Sequence, residues 1–217
     1  MVEKATANQF QLRPHFKTHQ SHIVGSWFRE ERIDKITVSS VGMAHFFAVN
    51  GWEDITIAFP VNVREMANIR LLSEKVKLGL IVVDADTVEK LGKEIMNEVF
   101  VWIKIDVGTH RTGIPPEDTN TIDEIVRRLK LYPQLIFKGL LGHAGHSYQC
   151  KSISQIERTH LNAMDLMLPL KKRYMKEFPK IKISLGDTPA ASVMNDFEHV
   201  DEFRPGNFVF YDLQQEE

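Results

Sequence analysis

Apolar positions along the chain gather into short, nearly unbroken runs that take turns with longer amphipathic stretches. Four of the runs, Ile-Thr-Val-Ser-Ser from Ile36, Ile-Thr-Ile-Ala-Phe from Ile55, Leu-Ile-Val-Val from Leu80 and Phe-Val-Trp-Ile-Lys-Ile from Phe100, are almost wholly apolar. Strands covered on both faces read this way, whereas a half-exposed strand alternates. The pattern predicts eight strands, at Leu12–Lys17, Lys35–Ser40, Asp54–Phe59, Gly79–Val83, Phe100–Asp106, Phe137–His143, Lys182–Gly186 and Val200–Arg204. Between them it predicts helices at Ile23–Glu31, Met43–Asn50, Val63–Lys75, Asp86–Asn97, Thr119–Tyr132, Ile153–Phe178 and Pro189–Phe197. Met1 to Gln11 reads as the tail of a helix leading into the first strand. Asp84 and Asp86, and the run Pro115-Pro116-Glu117-Asp118, mark helix starts.

Strands alternating with helices imply a parallel sheet. Eight of them in 217 residues fit an α/β fold of the (β/α)8 TIM-barrel type, one domain over 1–217. A doubly wound open sheet is the rival. Its two commonest nucleotide motifs, GxGxxG after the first strand and GxxxxGK[ST], are both missing.

Composition narrows the function classes. With 43% apolar and 26% charged residues, the chain has the profile of an ordinary globular domain. The 27 Lys+Arg against 29 Asp+Glu leave a net charge of −2, no electrostatic footprint for nucleic acid or a membrane surface, so a small-molecule partner is expected. Only Cys150 carries a thiol, which excludes an internal disulfide and points to a reducing, cytoplasmic compartment. Neither a leader-like apolar segment at Met1–Gln11 nor a run long enough to span a membrane is present.

Chemistry in a parallel barrel collects at the carboxyl ends of the strands. The first expected strand ends in Arg13-Pro14-His15-Phe16-Lys17-Thr18-His19 and the fifth in Asp106-Val107-Gly108-Thr109-His110-Arg111-Thr112-Gly113. The sixth ends in Gly142-His143-Ala144-Gly145-His146-Ser147-Tyr148, the seventh in Gly186-Asp187-Thr188-Pro189, the eighth in Arg204-Pro205-Gly206-Asn207. Lys17, among His15, His19 and Arg13, stands where neighbouring positive charge and partial burial disfavour the ammonium form. A neutral amine is what carbonyl capture requires. Gly186 and Gly206 permit close backbone approach, and Thr188 opens a helix, a setting suited to phosphate. Asp187 fits beside a phosphate only if its side chain caps that helix. A metal-dependent barrel hydrolase is the competing reading, with His15, His19, His143 and His146 plus Asp106 or Asp187 as ligands.

The segments Leu-Arg-Pro-His-Phe-Lys-Thr-His, Asp-Val-Gly-Thr-His-Arg-Thr-Gly, Gly-His-Ala-Gly-His-Ser-Tyr, Leu-Gly-Asp-Thr-Pro and Phe-Arg-Pro-Gly-Asn-Phe-Val-Phe-Tyr-Asp occur in that order, from about Gln11 to Asp212. In them the chain resembles the alanine racemase-like, fold-type III enzymes that use pyridoxal phosphate, and within these the D-threonine aldolase and D-serine dehydratase branch. The resemblance implies that Lys17 is the lysine that links covalently to the cofactor. It implies Arg111 near the cofactor's phenolic oxygen and the substrate carboxylate, His143 stacked on the pyridine ring, and Tyr148 lining the pocket beside His15. It also implies Gly186, Asp187, Thr188, Gly206 and Asn207 as the phosphate cradle, and Arg204 at the ring nitrogen, where a guanidinium weakens the electron sink. Gln20, Asp187 and His143 depart from the residues common in that branch, which bears on substrate more than on cofactor.

The activity implied is that of a pyridoxal-phosphate-dependent lyase on D-amino acids, foremost D-threonine aldolase-type cleavage to glycine and an aldehyde, then D-serine dehydratase or racemase. A pyridoxal-phosphate-binding protein without catalysis is the alternative of another class. The family carries a β-rich C-terminal domain after the segment matching Phe208–Asp212, holding a divalent metal site in the aldolase and dehydratase branch. The chain ends at Glu217 before any such domain, so the expectation is a truncated, weakly active form whose metal ligands lie outside it, of an enzyme that is a homodimer at full length.

Overall fold

The computed structural model describes residues 1–211. All eight predicted strands form: β1 Gln11–Leu12, β2 Lys35–Val38, β3 Asp54–Pro60, β4 Lys77–Val82, β5 Val99–Lys104, β6 Leu135–Leu141, β7 Lys182–Leu185 and β8 Glu202–Phe203. Every pairing is parallel, in the order β1-β8-β7-β6-β5-β4-β3-β2. A parallel bridge between His15 and Thr37 joins the two ends of that order, so the sheet closes into a (β/α)8 barrel. The open-sheet alternative is thereby excluded.

The helices are α1 Val2–Ala7, α2 His22–Glu30, α3 Val41–Val49, α4 Met66–Ser73, α5 Ala85–Glu94, α6 Thr119–Leu129, α7 Ile153–Tyr174 and α8 Thr188–Val193. Six of them begin on a side-chain cap, from Ser21, Ser40, Asp84, Asp118, Ser152 and Asp187, each accepting from a backbone N–H two or three residues into the helix. These caps fix where each helix leaves the carboxyl end of its strand. Their amphipathic faces then bury Val88 and Leu91 of α5, or Ile122, Ile125 and Leu129 of α6, against the outside of the sheet.

Several elements are shorter than the sequence pattern predicts, β1 and the ends of α7 and α8 among them. β1 stops at Leu12 instead of running to Lys17. Pro14 has no N–H to give to a ladder, and the chain meets β2 again around Thr37, whose N–H donates to Pro14 O at 2.9 Å and whose carbonyl accepts from Phe16 N at 2.8 Å, before turning at Gln20 (φ 46°). Lys17 therefore sits in a turn rather than at a strand end. α8 ends at Val193, not Phe197, and α7 ends at Tyr174, not Phe178. The predicted Val63–Lys75 helix opens as a 3-10 turn at Val63–Glu65. Of the segment Phe208–Asp212, Asp212 lies outside the described residues.

The barrel interior is stratified. One layer is apolar: Ile81, Trp102 and Leu141, with Ala58 packed against them. A second is ionic. Buried Arg13 reaches Asp54 and Glu202, both at 2.7 Å, and Glu202 accepts from the Ser184 hydroxyl at 2.6 Å. Trp102 and Lys104 are two residues apart on β5 and therefore point to the same, inward side. Lys104 is the next inward side chain towards the mouth.

Candidate active site

A cavity of about 540 Å³ opens at the carboxyl ends of the strands, where a barrel of this kind carries its reactive groups. It brings together His15, Lys17, Arg111, His143, Tyr148, Asp187, Arg204, Gly206 and Asn207, nine residues singled out from sequence. Gly186 and Thr188 stand directly behind this wall, through contacts to His143 and Asn207.

Lys17 lies at the rim. The residue is exposed yet lines the cavity, and partial burial, followed by the positive charges of Arg111 and Arg204, holds its pKa below the usual lysine range. No carboxylate pairs with it among the described residues. A larger neutral fraction on an accessible amine is the condition for attack on a carbonyl.

Two imidazoles stay uncharged around it. Burial drives His143 down to about 3 and His15 well below its ordinary value. His143 Nδ1 lies 2.6 Å from the Gly186 carbonyl, which can only accept; Nδ1 therefore carries the proton and Nε2 keeps its lone pair. Arg204 is fully desolvated, which lowers it to about 10, so it remains a cation. Its Nε donates to Ser184 Oγ at 2.7 Å and its Nη2 to the Gly142 carbonyl at 2.5 Å, leaving Nη1 uncommitted among the described residues.

The segment expected to cradle a phosphate is partly filled by the protein itself. Asp187 caps α8, its Oδ1 accepting from Ala190 N at 2.8 Å and from the Ser147 hydroxyl at 2.9 Å. Pro189, the second residue of α8, has no N–H, and Thr188 N points to the Tyr148 hydroxyl at 3.4 Å. The helix N-terminus is thus occupied, as the capping alternative for Asp187 requires. Gly206 N–H makes no hydrogen bond among the described residues, and Thr188 Oγ1 accepts from Asn207 N at 2.9 Å. Both glycines have a packing reason as well: a Cβ on Gly186 would come within 2.8 Å of Arg204 N, and one on Gly206 within 3.1 Å of the His15 carbonyl.

Lys104, which the sequence reading did not select, also lines the cavity. Its signal was a single charge closing an otherwise apolar strand. Burial, then the charges of Arg204 and Arg111, lowers it to about 8. Lys17, Lys104, Arg111 and Arg204 thus face the cavity against one lining carboxylate, Asp187, which burial raises to about 6. This donor set fits an aldehyde-bearing phosphate such as pyridoxal phosphate: an amine for the carbonyl and an excess of positive charge for the anion. It does not fit the metal alternative. Among the described residues no three His, Cys, Asp or Glu side chains are placed to hold an ion. His19 is turned away, packed against Phe16 and Phe28. The divalent metal implied by resemblance finds no ligand set here either.

A closed parallel barrel with a cation-lined mouth and an accessible amine defines the class of protein. Residues 1–214 match the family model described as alanine racemase, N-terminal domain, and the chain belongs to that family. It is 27% identical over 238 residues to a D-serine dehydratase of Dictyostelium discoideum, covering 100% of this chain and 60% of that protein. It is 30% identical over 221 residues to the D-threo-3-hydroxyaspartate dehydratase of Delftia sp. (strain HT23), covering 98% of this chain and 57% of that protein. The solved structure of the Delftia enzyme superposes with a TM-score of 0.91 over 99% of this chain and 57% of that one. The D-threonine aldolase of Filomicrobium marinum superposes with a TM-score of 0.85 at 18% identity, over 99% of this chain and 58% of that one, a likeness of fold. The chain thus spans somewhat under two thirds of the length of these relatives. Among the described residues no helix is long and apolar enough to cross a membrane.

Proposed function

We propose that this chain holds pyridoxal phosphate through Lys17 and serves a lyase reaction on a β-hydroxy D-amino acid. The observation that carries the reading is the Lys17 amine, held below its ordinary pKa at the rim of a cavity that also presents Arg111, His143 and Arg204. Bound pyridoxal phosphate supplies an aldehyde that captures amines and a conjugated ring that stabilises negative charge at the α-carbon. The residues do the rest. Gly206 N–H and the Thr188–Asn207 turn would receive the phosphate, and Arg204 would stand at the ring nitrogen. Neutral His143 offers a flat, uncharged face to the ring. The Lys17 amine, when not joined to the cofactor, would be the base that takes the substrate's α-proton.

Among the outcomes, loss of the β-hydroxyl as water has more support than the cleavage of Cα–Cβ expected from sequence. Both relatives at 27% and 30% identity are named dehydratases, whereas the aldolase likeness, at 18%, speaks for the fold. A cytoplasmic setting and a homodimer remain part of the reading, supported by the single cysteine and by family resemblance. Incubation with D-serine and D-threonine tests the reaction: a 2-oxo acid and ammonia are expected, and glycine with an aldehyde would establish the aldolase instead. Neither product, with the cofactor bound, would leave the non-catalytic binding protein.

A further inference from the structure

We infer that Lys104 is a substrate-binding residue whose ammonium receives a carboxylate of the amino acid, an inference that rests on the lyase reading above. Lys104 is 5% exposed, yet among the described residues its amine makes no ion pair and no hydrogen bond. Buried ammonium groups are paired in folded proteins because desolvation without a partner is costly. Among the described residues no carboxylate in the neighbourhood pairs with Lys104. Asp106, the one acid that acts on Lys104, accepts through Oδ1 from Gly108 N and His110 N, both at 3.0 Å, and its Oδ2 meets His110 Nδ1 at 3.2 Å. Glu202 belongs to Arg13 and Ser184; Asp187 Oδ1 belongs to Ser147 and Ala190, and its buried Oδ2, though unpartnered, makes no contact with the Lys104 amine. The missing partner is therefore an anion that arrives with a ligand.

Topology says which anion. The glycine turns follow β7 and β8, whereas Lys104 ends β5, two strands round the barrel from the nearer of them and four from β1, which leads to Lys17. A phosphate held at Gly206, after β8, would lie three strands round the mouth from Lys104. Arg111, in the loop after β5, shares the Lys104 side and also lacks a carboxylate partner among the described residues. The β5 side of the mouth is thus a carboxylate-binding wall made of two cations. Whether Lys104 takes the α-carboxylate or a side-chain carboxylate is a question of source, and both present the same chemistry to it.

The test uses the protein loaded with pyridoxal phosphate, titrated with D-alanine, D-aspartate and D-alaninol, which lacks the carboxylate. Binding is read by calorimetry and by the change in visible absorption. Lys104→Met is expected to weaken D-alanine and D-aspartate by about tenfold or more, the value of a charge-assisted hydrogen bond, and to leave D-alaninol unchanged. Weakening of D-aspartate alone assigns the side-chain carboxylate. Unchanged affinities for all three ligands, or an equal loss for D-alaninol, would overturn the inference. Thermal melting is the second readout. Removing an unpaired buried ammonium is expected to raise the Tm of the ligand-free protein; a lower Tm would mean that the amine is already paired within the fold and would refute the proposal. If the unmodified chain takes up no pyridoxal phosphate, the cofactor reading fails, and the calorimetric titrations and the Tm comparison still decide the role of Lys104.

Discussion

Arg204 is held by Ser184: its Nε donates to the serine hydroxyl at 2.7 Å, and the same hydroxyl donates onward to Glu202 Oε1 at 2.6 Å. With Arg13 bridging Glu202 and Asp54 at 2.7 Å each, a chain of alternating charge runs through the barrel interior up to the floor of the cavity. Ser184→Ala removes the one neutral link and leaves two buried charged groups each short of a partner. Unfolding in denaturant should show a loss of about 1–3 kcal/mol, the cost of unsatisfied buried polar groups.

The ionic layer itself makes a sharper prediction. Arg13→Met alone strands Glu202 in the interior and is expected to destabilise by about 3–5 kcal/mol, whereas Arg13→Met combined with Glu202→Met restores most of that loss. Equilibrium unfolding of the single and double variants distinguishes the two cases. Equal losses would mean that packing, not charge, is what Arg13 contributes.

Gly186 lies against the β8 backbone, where an added Cβ would stand 2.8 Å from Arg204 N. Gly186→Ala must push β8 away or distort the turn that carries Thr188, with an expected cost of about 1–3 kcal/mol by overpacking. Because the same turn accepts the His143 Nδ1 proton, affinity for pyridoxal phosphate should fall with it, read by equilibrium dialysis.

Asp187 sets a pH dependence. Burial raises its folded-state pKa from 3.8 to about 6, so between these values the folded protein holds a proton that the unfolded chain has lost. Stability attributable to this group is full below 3.8 and lost as the pH rises through about 6. Asp187→Asn should flatten that fall while keeping the acceptor that caps α8. Denaturant midpoints across the window check it; an unchanged slope would contradict the assignment.

The sequence made the barrel legible because doubly covered strands and capped helices are both local signals. Ile55–Phe59 is apolar but for Thr56, and Asp84 and Asp118 announce the helices that follow them. The mouth was legible for the same reason: strand-to-helix turns crowd Gly, His, Lys and Arg into short segments such as that from Arg13 to His19. What stayed hidden depends on inward register and on long-range partners. Lys104 looks like the end of a strand until the register with Trp102 turns it into the barrel. Arg13 and Glu202 lie 189 positions apart, and only closure of β1 on β8 pairs them. Pro14 was in plain view, yet its effect on β1 depends on which neighbour the strand needs.

The direct test of the account is covalent. The chain is incubated with pyridoxal phosphate, reduced with borohydride and digested, and the modified lysine is located by mass spectrometry. The account predicts the reduced cofactor on Lys17 and none on Lys104, with labelling abolished in Lys17→Ala. Attachment at Lys104 instead, or an unlabelled protein, would contradict it.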